Sequence, residues 1–160
     1  MPEIPPDPLT FVQPGDVLLY SGHNFNAWVI SVKTWSKVTH CELVLGDGLT
    51  AASRDGQGVN TYPLRREELA YVLRPDTALD MTGVKAFHAA CIGQAYDWVG
   101  LLRFYTWGQQ SMDKQFCSEY VTRLLRHGRL EPFQDAYDAD LVSPGMFLCS
   151  ARLVRIWSAS

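Results

Sequence analysis

Val38-Thr39-His40-Cys41-Glu42-Leu43-Val44-Leu45-Gly46-Asp47-Gly48-Leu49-Thr50-Ala51-Ala52-Ser53 reads as a β-hairpin. Its first arm is apolar and alternating, the Gly-Asp-Gly centre is turn chemistry, and the second arm returns at strand length. Alternation puts Val38, His40, Glu42 and Val44 on one face and Thr39, Cys41, Leu43 and Leu45 on the other. If Asp47-Gly48 form a two-residue turn, Glu42 stands opposite Ser53 and His40 opposite Asp55. A slip of one residue changes which of Ser53, Arg54 and Asp55 faces His40.

Strand-like segments flank the hairpin. Upstream, Pro14-Gly15-Asp16 signals a turn and Val17-Leu18-Leu19-Tyr20 a short buried strand. Residues 1–13 read as an extended leader, because prolines at 2, 5, 6 and 8 interrupt helix and ladder alike. Trp28, Val32 and Trp35 recur at helical spacing within Asn26–Trp35. Downstream, strands are expected near Val59–Tyr62 and Tyr71–Leu73, separated by the polar turn Arg65–Glu68. The pattern to this point is a meander, which predicts an antiparallel sheet.

After Pro75 the period becomes helical. Val84, Phe87, Cys91 and Ala95 share one face, and Tyr96-Asp97-Trp98 opens a second helix with Asp97 as its N-cap. A polar gap, Gly108–Gln115, precedes a third helix that is expected to end with Gly128 at C′. Arg152–Trp157 alternates weakly and reads as a closing strand. The fold class is therefore α+β, a mostly antiparallel sheet packed against helices, in one domain spanning residues 1–160.

Composition narrows the function. Hydrophobic residues make up 47% and charged residues 19%, which suits an ordinary core. The net charge of -3 and the lack of a basic run argue against nucleic acid as a partner. No apolar run reaches the roughly 18 residues of a membrane span, and the start of the chain lacks a signal-peptide pattern, so a cytoplasmic protein is expected, with export by another route left open. Cys41, Cys91, Cys117 and Cys149 form no CxxC pair and no paired His ligands accompany them, so neither a metal nor another cofactor is expected. Oligomeric state is not legible.

Chemistry concentrates at two places. Cys117, Val121, Leu124 and Leu125 share a helix face, with Cys117 expected near the helix start, where backbone N–H groups favour thiolate and can hold an oxyanion. A core cysteine fits the same pattern. His40, on a half-buried strand, is a candidate base for that thiol, and a structural histidine fits equally. A third group would fix the imidazole; Ser53 is the first choice, Asp55 the second and Glu42 the third.

In combination, Pro14-Gly15-Asp16-Val17-Leu18, Thr39 to Gly48, Gly93-Gln94-Ala95-Tyr96-Asp97-Trp98 and Phe116-Cys117-Ser118-Glu119-Tyr120-Val121 resemble the permuted branch of the NlpC-type papain-like superfamily. That branch includes YiiX-like proteins and relatives of lecithin retinol acyltransferase. The resemblance implies a circularly permuted papain-like fold in which histidine precedes cysteine, with Cys117 as nucleophile and His40 as base. It implies a cysteine peptidase or amidase, a hydrolase or acyltransferase acting on an amide or ester, with cell-wall peptide favoured. The resemblance suits a bacterial or phage accessory enzyme; the alternatives are a lipid or acyl ester or amide substrate, and a catalytically weak binding or assembly module that retains the fold. Members often carry Glu, His, Asn or Gln on the strand after the base; Leu49–Asp55 offers no direct match. Trp28, Trp35, Trp98, Tyr105 and Trp107 are candidates for an acyl groove or for plain core, and His23 and Asn24 for a cleft border or a solvated loop.

Overall fold

The computed structural model describes residues 7–22, 36–54, 57–93, 112–133, 138–139 and 142–159. The helices expected at Asn26–Trp35 and from Tyr96 onward lie outside the described residues, as do Asp55, His23, Asn24 and the five aromatics of the candidate groove.

Six strands form one antiparallel sheet: β1 (Val17–Tyr20), β2 (His40–Gly46), β3 (Leu49–Arg54), β4 (Gly58–Pro63), β5 (Leu69–Pro75) and β6 (Leu153–Ser158). Their order is β4-β3-β2-β1-β5-β6. The antiparallel sheet matches expectation, but the meander breaks after β4. β5 returns across the sheet to pair with β1, Val17 beside Leu73, instead of pairing with β4. Burial explains that choice. β1 is apolar at every position and buried throughout, so it needs a neighbour on both edges and cover on both faces.

Each face carries its own core. Val17, Leu19, Cys41, Leu43, Ala51 and Leu73 point to the face covered by two helices, α1 (Met81–Cys91) and α2 (Met112–His127). Leu18, Tyr20, Val44, Leu69 and Val72 point to the other, against Val12, Leu64, Ile156 and Trp157. Val12 belongs to the stretch read as an extended leader; a 3-10 turn at Pro8–Thr10, capped by Asp7, precedes it.

Two local devices differ from the sequence reading. Asp47 and Gly48 both take positive φ (53° and 71°), as a two-residue hairpin turn demands. Gly46, however, pairs with Leu49 while Val44 pairs with Thr50, so Leu45 is an extra residue in β2. That bulge shifts the whole hairpin by one. At the end of α2, Gly128 is not the left-handed residue; Arg129 is, at φ 64°. Arg129 N–H bonds the Arg126 carbonyl and Leu130 N–H the Leu125 carbonyl, both at 2.9 Å, which is a Schellman closure with arginine at C′. Gly128 is required for space instead: an added Cβ would lie 2.9 Å from Val84 Cγ2.

Candidate active site

His40 opens β2, and Cys41 follows it on the opposite face. The Cys117 sulfur meets both. It is hydrogen-bonded to the His40 ring, to the Cys41 thiol and to the Cys41 backbone N–H. An acceptor of a strand N–H lies near the plane of the sheet, so side chains from either face can flank it. This resolves how a helix on one face reaches a histidine whose neighbours, Tyr20 and Glu42, lie on the other.

Behind His40 stands Glu42. Nε2 of His40 lies 3.0 Å from Glu42 Oε1, which leaves Nδ1 for the thiol. The Glu42 side chain has no exposure to solvent. A buried carboxylate needs charge and hydrogen bonds on both oxygens. Oε1 also receives Arg54 Nε–H at 2.9 Å, and Oε2 receives the Thr50 hydroxyl at 2.6 Å. Arg54 Nη2 is equally near Oε1 but off the hydrogen-bond line, so Nε carries the bond. The Arg54 guanidinium in turn lies 4.0 Å over the Tyr62 ring.

The bulge at Leu45 decides this arrangement. With Leu43 beside Ala51, the same register sets Glu42 beside Ala52 and Cys41 beside Ser53. Ser53, the first choice from sequence, is therefore carried to the face of Cys41, away from the imidazole. Thr50 and Arg54 come to the Glu42 face instead. Asp55, the second choice, lies outside the described residues. Glu42, the third choice, is the one of the three that meets the His40 ring. Thr50 was missed altogether; the glycine before the Asp47-Gly48 turn was the available signal for a bulge.

The electrostatics follow from these contacts. Hydrogen bonds from the Cys41 thiol, then from His40, outweigh burial and hold Cys117 well below the ordinary thiol range. Burial opposes a charge on His40, yet its hydrogen bonds to Cys117 and Glu42 prevail and push it up to about 9. Burial likewise opposes the Glu42 charge, but His40 and Thr50 overcome it and lower that carboxyl. Cys41 moves the other way, kept a thiol by burial and by the neighbouring sulfur. These contacts favour the charged forms of all three groups, thiolate on Cys117, imidazolium on His40 and carboxylate on Glu42. His88 makes the contrast: its Nδ1 lies 2.5 Å from the Tyr120 hydroxyl and its Nε2 2.7 Å from Thr61 Oγ1, and burial lowers it, so it is a neutral tie between α1, α2 and β4.

One expectation needs correction. α2 begins at Met112, so the polar stretch up to Gln115 forms its first turn and Cys117 lies in the second. Its own N–H is directed at the carbonyl four residues earlier, and the helix-end field falls off within one turn. Neither helix-end N–H groups nor the macrodipole therefore account for the lowered Cys117 thiol; its hydrogen bonds with Cys41 and His40 do.

Among the described residues no group of three or more His, Cys, Asp or Glu side chains is placed to hold a metal ion. His40 and Cys41 flank the Cys117 sulfur from opposite faces instead of converging with it on one point. No described helix is long and apolar enough to cross a membrane.

No protein-family model matches the chain, and no curated protein matches it in sequence. Among solved structures, the chain is similar to the crystal structure of metalloprotein yiiX from Escherichia coli O157:H7, with 17% sequence identity and a TM-score of 0.64. The similarity covers 92% of this chain and 97% of that one. At that identity the likeness establishes a shared YiiX-like fold.

Proposed function

We propose that this chain is a cysteine hydrolase or acyltransferase of permuted papain-like design, working through a Cys117 thioester. The observation that carries the reading is the hydrogen-bonded run from Cys117 through His40 to Glu42, built from a helix and a strand far apart in sequence. The thiolate attacks an amide or ester carbonyl. The His40 imidazolium gives its proton to the leaving nitrogen or oxygen, then takes one from water or another acceptor that resolves the thioester. Glu42 holds the ring in one orientation and favours its charged form, while Thr50 and Arg54 hold Glu42.

Cell-wall peptide is the favoured substrate, on the likeness of the motifs to NlpC-type enzymes. Acyl esters or amides of lipids are the alternative.

The experiment is labelling with a thiol-directed electrophile, followed by site mapping. Cys117→Ala is expected to abolish rapid labelling near neutral pH while Cys41, Cys91 and Cys149 remain. Unchanged labelling in that variant would reject Cys117 as the reactive thiol. Cleavage assays on peptidoglycan fragments and on acyl esters then separate the two substrate classes.

A further inference from the structure

The mechanism above leaves Cys41 with no step to perform, although its thiol and its backbone N–H both bond the Cys117 sulfur. We propose that Cys41 is a resolving cysteine: a hydroperoxide oxidises Cys117, and the two residues then close into a reversible disulfide that shuts the site. The inference goes beyond hydrolysis and needs only the two sulfurs and their surroundings.

The geometry carries it. The Cys117 sulfur accepts both the Cys41 S–H and the Cys41 backbone N–H. Two sulfurs already in hydrogen-bond contact need only close to the roughly 2.05 Å of an S–S bond. Both residues are buried, with Cys41 at 0% and Cys117 at 1% exposure. The nearest nucleophile for an oxidised Cys117 is then its hydrogen-bonded neighbour, ahead of bulk water or a second molecule of oxidant. The assignment of roles is fixed by the same contacts. Cys117 is the thiolate and reacts first; Cys41 stays a thiol until a sulfenic acid appears beside it.

The chemistry balances. The Cys117 thiolate attacks the terminal oxygen of the hydroperoxide, the O–O bond breaks, and the leaving oxygen takes the His40 proton, giving water in the case of hydrogen peroxide. Cys41 sulfur then attacks the sulfenic sulfur, the S–O bond breaks, and the hydroxide leaves with the Cys41 proton as a second water. Two thiols lose two electrons and the peroxide gains them. A dithiol reductant reverses the product by exchange.

The test reads mass, so it is independent of any substrate. Trypsin places the four cysteines on separate peptides, with Cys41 on residues 38–54, Cys117 on 115–123, Cys91 on 86–103 and Cys149 on 130–152. The reduced full chain is treated with hydrogen peroxide, blocked with N-ethylmaleimide and digested. The expected product is the 38–54 peptide joined to 115–123, two hydrogens lighter than the pair and lost on dithiothreitol, with Cys91 and Cys149 alkylated. Cys117 recovered as sulfinate or sulfonate with Cys41 alkylated would overturn the proposal, and so would no oxidation of either. In Cys41→Ala, dimedone should trap a Cys117 sulfenic acid, and excess peroxide should carry Cys117 on to sulfinate, which dithiothreitol does not reverse. Sulfinate forming no faster in that variant than in the wild-type chain counts against Cys41. A disulfide without hydrolysis would sink only the hydrolase reading, and hydrolysis without a disulfide only this one.

Discussion

Glu42 concentrates the residue-scale logic of the site. It is a fully buried carboxylate that binds a histidine, an arginine and a threonine, and each contact favours its charge. Glu42→Gln keeps the shape and removes the charge. His40 then loses part of what raises it, and Cys117 loses part of its imidazolium partner. We expect alkylation of Cys117 near neutral pH to fall about tenfold or more, one pKa unit being worth roughly 1.4 kcal/mol, with the acid limb of its pH profile moved upward. Ser53→Ala should leave that profile where it is; a reversed ranking of the two variants would restore Ser53 and remove Glu42. The wild-type pH dependence follows with its sign. His40 is raised, so the stability it contributes is present below its ordinary value near 6.5 and fades as pH climbs through about 9. Cys117 and Glu42 are lowered, so their contributions are present at and above their ordinary values and fade as pH drops through their folded ones. Turnover should likewise decline above about 9, where the imidazolium that protonates the leaving group is lost. Alkylation needs only the thiolate and should not decline there. Parallel decline of both rates would contradict the separate roles.

At the scale of elements, α1 and α2 meet with almost no spare volume. A Cβ on Gly83 would sit inside the van der Waals distance of the His127 carbonyl oxygen, and Phe87 stacks on His127 with ring centroids 4.0 Å apart. Helix propensity alone favours Gly83→Ala by about 1 kcal/mol. Overpacking opposes it by about 1–3 kcal/mol, and the carbonyl cannot step aside because the Schellman closure holds that end of α2. We expect net destabilisation in urea unfolding of about 1 kcal/mol; a gain would mean the helices part easily. The same scale shows where sequence reading succeeded. The hairpin arms, the α2 face of Cys117, Val121, Leu124 and Leu125, and the β6 strand follow from periodicity, which reports only which residues share a side. Three features escaped it. The bulge at Leu45 is an offset that alternation cannot register, so Thr50 was overlooked and Ser53 was assigned to the opposite face of the sheet. The start of α2 was set a turn late because its first residues are polar and show no apolar period. The left-handed C′ residue is an arginine, which propensity disfavours there.

At the scale of the molecule, the sheet order β2-β1-β5 depends on a partnership that pattern reading does not reach. Asp16 is 1% exposed and sits just before β1. Arg74 on β5 grips it with two bonds, Nε to Oδ1 at 2.9 Å and Nη2 to Oδ2 at 2.8 Å, and also bonds the Phe11 carbonyl. Asp16 further accepts the Gln13 N–H at 2.8 Å, and its carbonyl accepts Val44 N–H of β2 at 2.9 Å. One aspartate thus links the incoming segment, β2 and β5 around the buried strand β1. Arg74→Leu would leave that carboxylate buried with one remaining donor. Breaking a buried pair from one side costs about 3–5 kcal/mol, and the low end applies here because Arg74 keeps some exposure, which screens the charge. About 3 kcal/mol corresponds to a melting temperature lowered by roughly 6–12 °C in a chain of this size. Cys117 alkylation, read below the new transition, should be nearly unchanged, because the contacts of Cys117 and His40 sit at the far end of β2. The double variant Asp16→Asn, Arg74→Leu removes the stranded charge and should recover part of the loss. A single variant within about 0.5 kcal/mol of wild type, the range of an ordinary surface change, would show that the sheet holds its order without this tie. A double variant no better than the single would show that shape, not charge, is what Arg74 supplies.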